Sequence, residues 1–216
     1  MNRTIRHAMT ALVTLTAAVT LAACGGNTSN DSQNMPAMPG MSSTTAATSP
    51  PANAAAAHNA ADVAFATNMI PHHRQAVTMA TMAQQQASNA EVKTLAAAIK
   101  AAQDPEIATM SGWLTQWGQP VPSTSGGHDM SNMGDTPMQG MMTDAEMGQL
   151  SAATGSAFDR MWLQMMIKHH QGAVVMATTE TANGQSPEAK TLAQQIISAQ
   201  NQEITAMETL LPTITD

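Results

Sequence analysis

A single cysteine in 216 residues and no tyrosine at all set the first limits on this chain. Cys24 stands alone, so neither a disulfide framework nor a cysteine-based zinc cluster can hold the fold. Stability must come from helix packing, and any soft-metal site must use methionine and histidine. Basic residues are also scarce, 8 Lys+Arg against 15 Asp+Glu. Two of the eight, Arg3 and Arg6, precede Cys24, which leaves 6 against 15 and a formal charge of −9 from there onward. Such a balance excludes nucleic acid, which needs a basic footprint, and favours cations. Ala8 to Thr20 is apolar but too short to span a bilayer comfortably. With Arg3, Arg6 and His7 before it and Leu21-Ala22-Ala23-Cys24 after it, residues 1–23 read as a lipoprotein signal peptide. Acyl chains on Cys24 would tether the protein to a bacterial membrane, facing the periplasm or cell envelope. Thioethers suit that oxidising space, because they lose no proton on binding and form no disulfides.

What the chain does hold is methionine, 20 residues of it. Residues 24–58 form a polar, Pro- and Ala-rich stalk carrying Met35, Met38 and Met41, expected to be disordered. A second low-complexity stretch, 118–142, carries His128, Met130, Met133, Met138, Met141 and Met142. Methionines in such segments have no core to fill, so they read as weak metal-capturing ligands. The remaining sequence, 59–212, is poor in aromatic and β-branched residues and rich in alanine, with apolar residues at three- and four-residue steps. Four helices are expected, near 60–87, 89–117, 143–183 and 187–211. Ser88-x-x-Glu91 and Thr143-x-x-Glu146 look like capping boxes, Ser186-Pro187 a helix start, and Asn183-Gly184 a helix stop. Pro71 should kink the first helix, and Pro105 could do the same in the second.

The helices come as two copies at a constant offset of 97 residues. Aligned without a gap, 62–114 and 159–211 share 22 of 53 positions. Repeat one (59–117) and repeat two (143–212) are thus antiparallel helical hairpins joined by the 25-residue linker 118–142. In the first, Phe65, Met69, His72, Ala76, Met79 and Ala83 lie on one stripe; in the second, Trp162, Met166, His169, Ala173, Met176 and Glu180 do. Each stripe must face a partner helix. The second histidine of each pair, His73 or His170, sits on the flank. Folding each hairpin about its turn puts Glu106 opposite His72 and Met110 near Met69, and likewise Glu203 opposite His169 and Met207 near Met166. A buried carboxylate needs a metal, a histidine or another donor beside it. A methionine stripe alone is what a core uses as filler. Adjacent histidine pairs with methionine three before and seven after, present in both copies, point instead to Cu(I), which thioether and imidazole suit.

The segments Phe65…Met69-Ile-Pro-His72-His73…Ala76…Met79-Ala80 and Trp162…Met166-Ile-Lys-His169-His170-Gln-Gly-Ala173…Met176-Ala177 resemble the signature of the CopM-like family, formerly a domain of unknown function. The resemblance covers residues 60–212. It implies a ferritin-like all-α four-helix bundle, an extracytoplasmic location, and binding of Cu(I) or Ag(I) for copper tolerance. Carried over, it marks Met69, His72, His73 and Met79, with Met166, His169, His170 and Met176, as metal ligands. Two departures between the copies matter. Lys168 stands where Pro71 does, and Gln171-Gly172 stands where Arg74-Gln75 does, a difference that would let the two sites differ in affinity.

Three functions follow from this reading. The first is a membrane-tethered copper-binding protein that sequesters or passes on Cu(I), with a copper exporter or chaperone as its protein partner. The second is a ferritin-like redox enzyme with a copper or di-metal centre. Di-iron bundles use Glu-x-x-His on facing helices, however, and here Met69 and Met166 occupy the Glu position. The third is a structural surface lipoprotein, which leaves the linker methionines without a purpose. A carrier rather than an enzyme is expected. Copper binding should fade as pH falls below the ordinary histidine value near ~6.5.

Overall fold

The computed structural model describes residues 57–123 and 138–215, all within the unit Ser49–Asp216. Its helices are α1 (Ala60–Gln86), α2 (Ala90–Gln116), α3 (Asp144–Ala152), α4 (Gly155–Asn183) and α5 (Pro187–Leu210), followed by a short 3-10 turn at Leu211–Thr213. The fold is all-α, a four-helix bundle of two hairpins with one added short helix. Among the described residues no helix is long and apolar enough to cross a membrane. Cys24, the signal segment and the stalk through residue 56 lie outside the described residues, as do His128, Met130 and Met133.

The helix ends show what local chemistry did with the sequence. Asn59 starts α1: its side chain accepts from the Ala61 and Asp62 amides, while Asp62 accepts the Asn59 N–H at 2.6 Å. That capping box was not expected. The one expected at Ser88 does not form. Asn89 caps α2 instead, accepting from Glu91 and Val92, because the Ser88 and Asn89 amides are both taken by the Asp159 carboxylate. The Thr143–Glu146 box forms as expected, as does the Ser186 cap with Pro187 in the first turn. The helix expected over 143–183 is two helices. Thr154 is extended and Gly155 adopts φ +63°, a left-handed conformation that glycine takes without steric cost, so α3 ends and α4 starts afresh. Both α1 and α2 run on through Pro71 and Pro105.

Within each hairpin, α1 packs along α2 and α4 along α5. The hairpins meet chiefly through α1 and α4, with a lesser contact between α2 and α5. Reciprocal hydrogen bonds brace them. Asp62 accepts from the Gln185 and Ser186 amides in the turn of the second hairpin, and Asp159 accepts from Ser88 and Asn89 in the turn of the first. Asp62 and Asp159 are 97 residues apart, so the duplication has become an approximate two-fold axis. α1 and α4 lie across this axis and run antiparallel. His72 lies against His169, and the Trp162 indole N–H donates to the Met79 carbonyl at 2.9 Å.

Candidate metal centre

Four histidines fill the middle of the bundle, each no more than 1 % exposed. Consecutive residues on a helix point about 100° apart, so one histidine of each pair faces its own hairpin and the other faces across. His73 meets α2, its Nε2 2.7 Å from Glu106 Oε2; His170 meets α5, its Nε2 2.8 Å from Glu203 Oε2. His72 and His169 face each other, ring centroids 3.7 Å apart. This corrects the expected pairing of Glu106 with His72 and of Glu203 with His169. Height along the hairpin was read well enough, since neighbouring residues differ by only about 1.5 Å, but azimuth decides the partner. Neither His73 nor His170 is on a flank; both are buried.

The hydrogen bonds fix which nitrogen of each ring is available. A carboxylate accepts, so His73 and His170 each donate an Nε2–H to it, which leaves Nδ1 as the second ring nitrogen. Both Nδ1 atoms are buried without a partner. The His72 Nε2–H donates to the Gln139 carbonyl at 3.2 Å, which leaves its Nδ1 equally unpaired. Neither ring nitrogen of His169 makes a hydrogen bond of ordinary geometry, though the ring lies toward the His72 backbone carbonyl. Burial, joined by repulsion from His73, pushes His72 down to about 3 against the raising effect of the Gln139 bond. Burial and the neighbouring histidines hold His169 well below the ordinary range too. His72 and His169, kept neutral with unpaired ring nitrogens in a dry interior, are ready ligands.

The methionines divide between the two sides of this cluster, and not by repeat. Met79, Met166 and Met207 share one core with Trp162 and Leu163. Met69 and Met110 share the other with Phe65, and half-buried Met176 packs against it. Antiparallel α1 and α4 bring the start of one motif beside the end of the other. The set expected from repeat one, Met69 with Met79, is therefore split, each methionine joining ligands of repeat two. Glu106 and Glu203, 19 % and 18 % exposed, stand behind histidines as orienting carboxylates. Among the described residues, no three His, Asp or Glu side chains form a group able to hold an ion. Sulfur from the methionines on either side is the soft donor nearest to the histidines.

The end of the linker crosses this centre as a strap. The Gln75 side chain clamps Met142, donating to its carbonyl and accepting its amide, both at 2.8 Å. A Cβ at Gly172 would collide with the Gln139 carbonyl, and Gly140 passes the same point at φ +83°. The departure of Gln171-Gly172 from Arg74-Gln75 thus has a structural use: glutamine in one copy holds the strap, and glycine in the other lets it pass. That departure between the two copies was its signal in the sequence. Met138 and Met141 on the strap are half-buried. Met142 is 2 % exposed inside the core with Met79 and Trp162, so the expectation that no linker methionine fills a core fails for it.

Residues 62–211 match the family described as "Domain of unknown function (DUF305)". A DUF305 protein from Streptomyces coelicolor, classed as secreted, is 36 % identical with a TM-score of 0.63, over 71 % of this chain and 93 % of that one. A DUF305 fragment from Deinococcus radiodurans is 32 % identical with a TM-score of 0.62, over 72 % and 97 %. CopM in its Cu(II)-bound form is 37 % identical with a TM-score of 0.59, over 70 % and 96 %, and CopM is also similar in its Cu(I)- and Ag-bound forms. No protein of curated function matches the chain.

Proposed function

This chain belongs to the DUF305 family, and on that premise we propose that it is an extracytoplasmic protein that binds Cu(I), and chemically similar Ag(I), to sequester it or hand it on. One observation carries the reading: four buried imidazoles, three with Nδ1 unpaired and one with both nitrogens unpaired, between two groups of methionines. CopM, similar over 96 % of its own length, is known in Cu(I)-, Cu(II)- and Ag-bound forms, which supports copper as the cargo. His72, His73, His169 and His170 would supply nitrogen, and Met69, Met110 and Met176 or Met79, Met166 and Met207 sulfur. Neutral ligands add no charge, so a monovalent soft ion is matched better than a hard divalent one. Carriage, not turnover, is the role we assign. We also retain lipidation of Cys24 as the tether, and a copper exporter or chaperone as the partner that takes the ion.

Native mass spectrometry of the mature protein with Cu(I), Cu(II), Fe(II) and Zn(II) tests the reading. Retention of Cu(I) over Fe(II) and Zn(II), reduced in His72→Ala/His169→Ala, is expected. Equal retention of Fe(II), or Cu(I) bound unchanged by that variant, overturns it. Metabolic labelling with a fatty acid, lost in Cys24→Ser, tests the tether.

A further inference from the structure

We propose that the end of the strap, Met138 to Met141, is a hinged cover over the buried histidines, and that the ion enters and leaves the bundle beneath it. The inference rests on the copper reading above and concerns how that same site is opened. An ion cannot reach four imidazoles that are each no more than 1 % exposed unless something moves. The strap lies in the groove between α1 and α4, where His72 and His169 face each other. Its apex is a tight turn: the Met141 N–H donates to the Met138 carbonyl at 3.1 Å, and Gly140, third in the turn, has the positive φ that a type II turn requires. The Gln139 carbonyl accepts from His72, while Gly140 passes against the Lys168 and His169 carbonyls. One short turn therefore touches the backs of both facing histidines.

The two ends of this segment are held unequally, which is what a hinge needs. Met142 is the fixed end: its side chain is buried in the core with Met79 and Trp162, and Gln75 holds both its backbone groups. The apex is held by the single bond to His72, at 3.2 Å, and by backbone contact with Gly172. Gln139 is exposed, and Met138 and Met141 are half-buried. A rival route runs past Glu106 and Glu203, 19 % and 18 % exposed, but its walls are α2 and α5, whole helices whose packing would have to yield. Segments with few buried contacts open at much lower free energy than packed helices, and short loops commonly gate enclosed sites. Two thioethers also travel with the cover, soft donors able to accompany Cu(I) toward the imidazoles. Met138 lines a cavity of about 810 Å³ alongside α1, so the outer end of the cover adjoins open space.

The test follows the metal-free and the loaded protein separately. Diethyl pyrocarbonate, which acylates unprotonated imidazole, is applied to the metal-free protein and its sites are mapped by tandem mass spectrometry. In the loaded protein, release of Cu(I) to an excess of chelator is timed. Gly172→Ala places a methyl where the Gln139 carbonyl lies, in a helix that otherwise favours alanine. It should speed modification of His72 and His169, and release of Cu(I), by about ten- to hundredfold. Gly140→Ala, strained at φ +83° and crowded by α4, should do the same from the other side of the contact. Asp159→Asn weakens the bonds to Ser88 and Asn89, leaves those of the strap intact, and should keep wild-type rates. Wild-type rates in both glycine variants, equal acceleration in Asp159→Asn, or acceleration at His73 and His170 ahead of His72 and His169 would each overturn the cover as the entrance. Accelerated modification in a protein that retains no Cu(I) would uphold the cover and refute the copper reading; unaltered modification beside firm retention of Cu(I) would do the reverse.

Discussion

A neutral imidazole ligates through whichever ring nitrogen lacks a proton, so the group holding the other nitrogen determines whether the ring is ready. Glu106 and Glu203 do this for His73 and His170. Glu106→Ala should weaken Cu(I) binding roughly ten- to hundredfold, as removal of an orienting group generally does. Glu106→Gln, which keeps an oxygen to accept the Nε2–H, should weaken it much less. Competition against a Cu(I) chelator measures both, and equal affinities in the two variants would deny the carboxylate this part. The facing pair carries a pH consequence. An unfolded histidine titrates near ~6.5, whereas burial, with His73 adding to it, takes folded His72 to about 3. Between those values the unfolded chain holds more protons. Stability of the metal-free protein is therefore full above ~6.5 and is lost as pH falls toward 3. His72 itself stays neutral through that window. Cu(I) affinity should accordingly drop less between pH 7 and 5 than an ordinary histidine would allow, which revises the fading expected from sequence. Urea midpoints and chelator competition at pH 7, 5 and 4 check the pair of statements, and a pH-independent midpoint would contradict the first.

The elements bring ligands together by contacts that periodicity does not encode. Residues 138–142 are held against α1 and α4 through Gln75, Gly172 and Gly140. Gly172→Ala should push the strap off, at a cost of about 1–3 kcal/mol for overpacking, and free the His72 Nε2–H from Gln139. Gln75→Ala should destabilise by a comparable amount, since it strands the buried amide and carbonyl of Met142. Denaturant unfolding reads both, and wild-type midpoints would show that the strap is only resting there. Met79→Leu asks the parallel question of the core. Its stability cost should stay below about 1.5 kcal/mol, while Cu(I) binding weakens. Wild-type binding would make Met79 filler. Much of this level was legible in advance. The helix stop at Asn183-Gly184, the caps at Thr143 and Ser186 and the hairpin pairing all follow from local chemistry. The break at Gly155 was not legible, because a lone glycine in a periodic stretch does not announce φ +63°. Nor was the choice of His73 over His72 by Glu106, which depends on how far α1 is rotated about its own axis. Met142 misled because composition speaks of a segment and burial of a single side chain.

At the scale of the whole molecule, two hairpins must be held in one register for the histidines to meet, and the braces that do this are unequal. Asp159 takes two turn amides and nothing else that the duplication would add. Asp62 takes the matching amides but lies beside Glu180, where the other copy has Ala83. Burial tends to raise Asp62. Hydrogen bonds from the Asn59 amide, the Glu180 carboxyl and the Ser186 and Gln185 amides outweigh it and hold Asp62 below the usual carboxylate range. Glu180 goes the other way. Burial, with the hydrogen bond to Asp62 and the charge on it, pushes Glu180 up to about 8, and Lys190 opposes this only in part. Protonated, Glu180 donates to Asp62; ionised, both its buried oxygens lack a donor beside a second negative charge. A folded value above the unfolded one gives a contribution that is full below pH ~4.5 and is lost as pH rises through about 8. That slope opposes the one from His72, so the metal-free bundle should weaken toward both acid and alkali. Glu180→Gln removes the titration and keeps an N–H donor for Asp62. It should be more stable than wild type at pH 9, with the difference shrinking toward pH 5. Gly184, whose added Cβ would collide with this carboxyl, is left unchanged so that the space is the same. Denaturant titrations at pH 5, 7 and 9 decide it. A constant offset between the two proteins across that range would mean that Glu180 carries its charge in the fold, and that the brace between the hairpins does not depend on a proton.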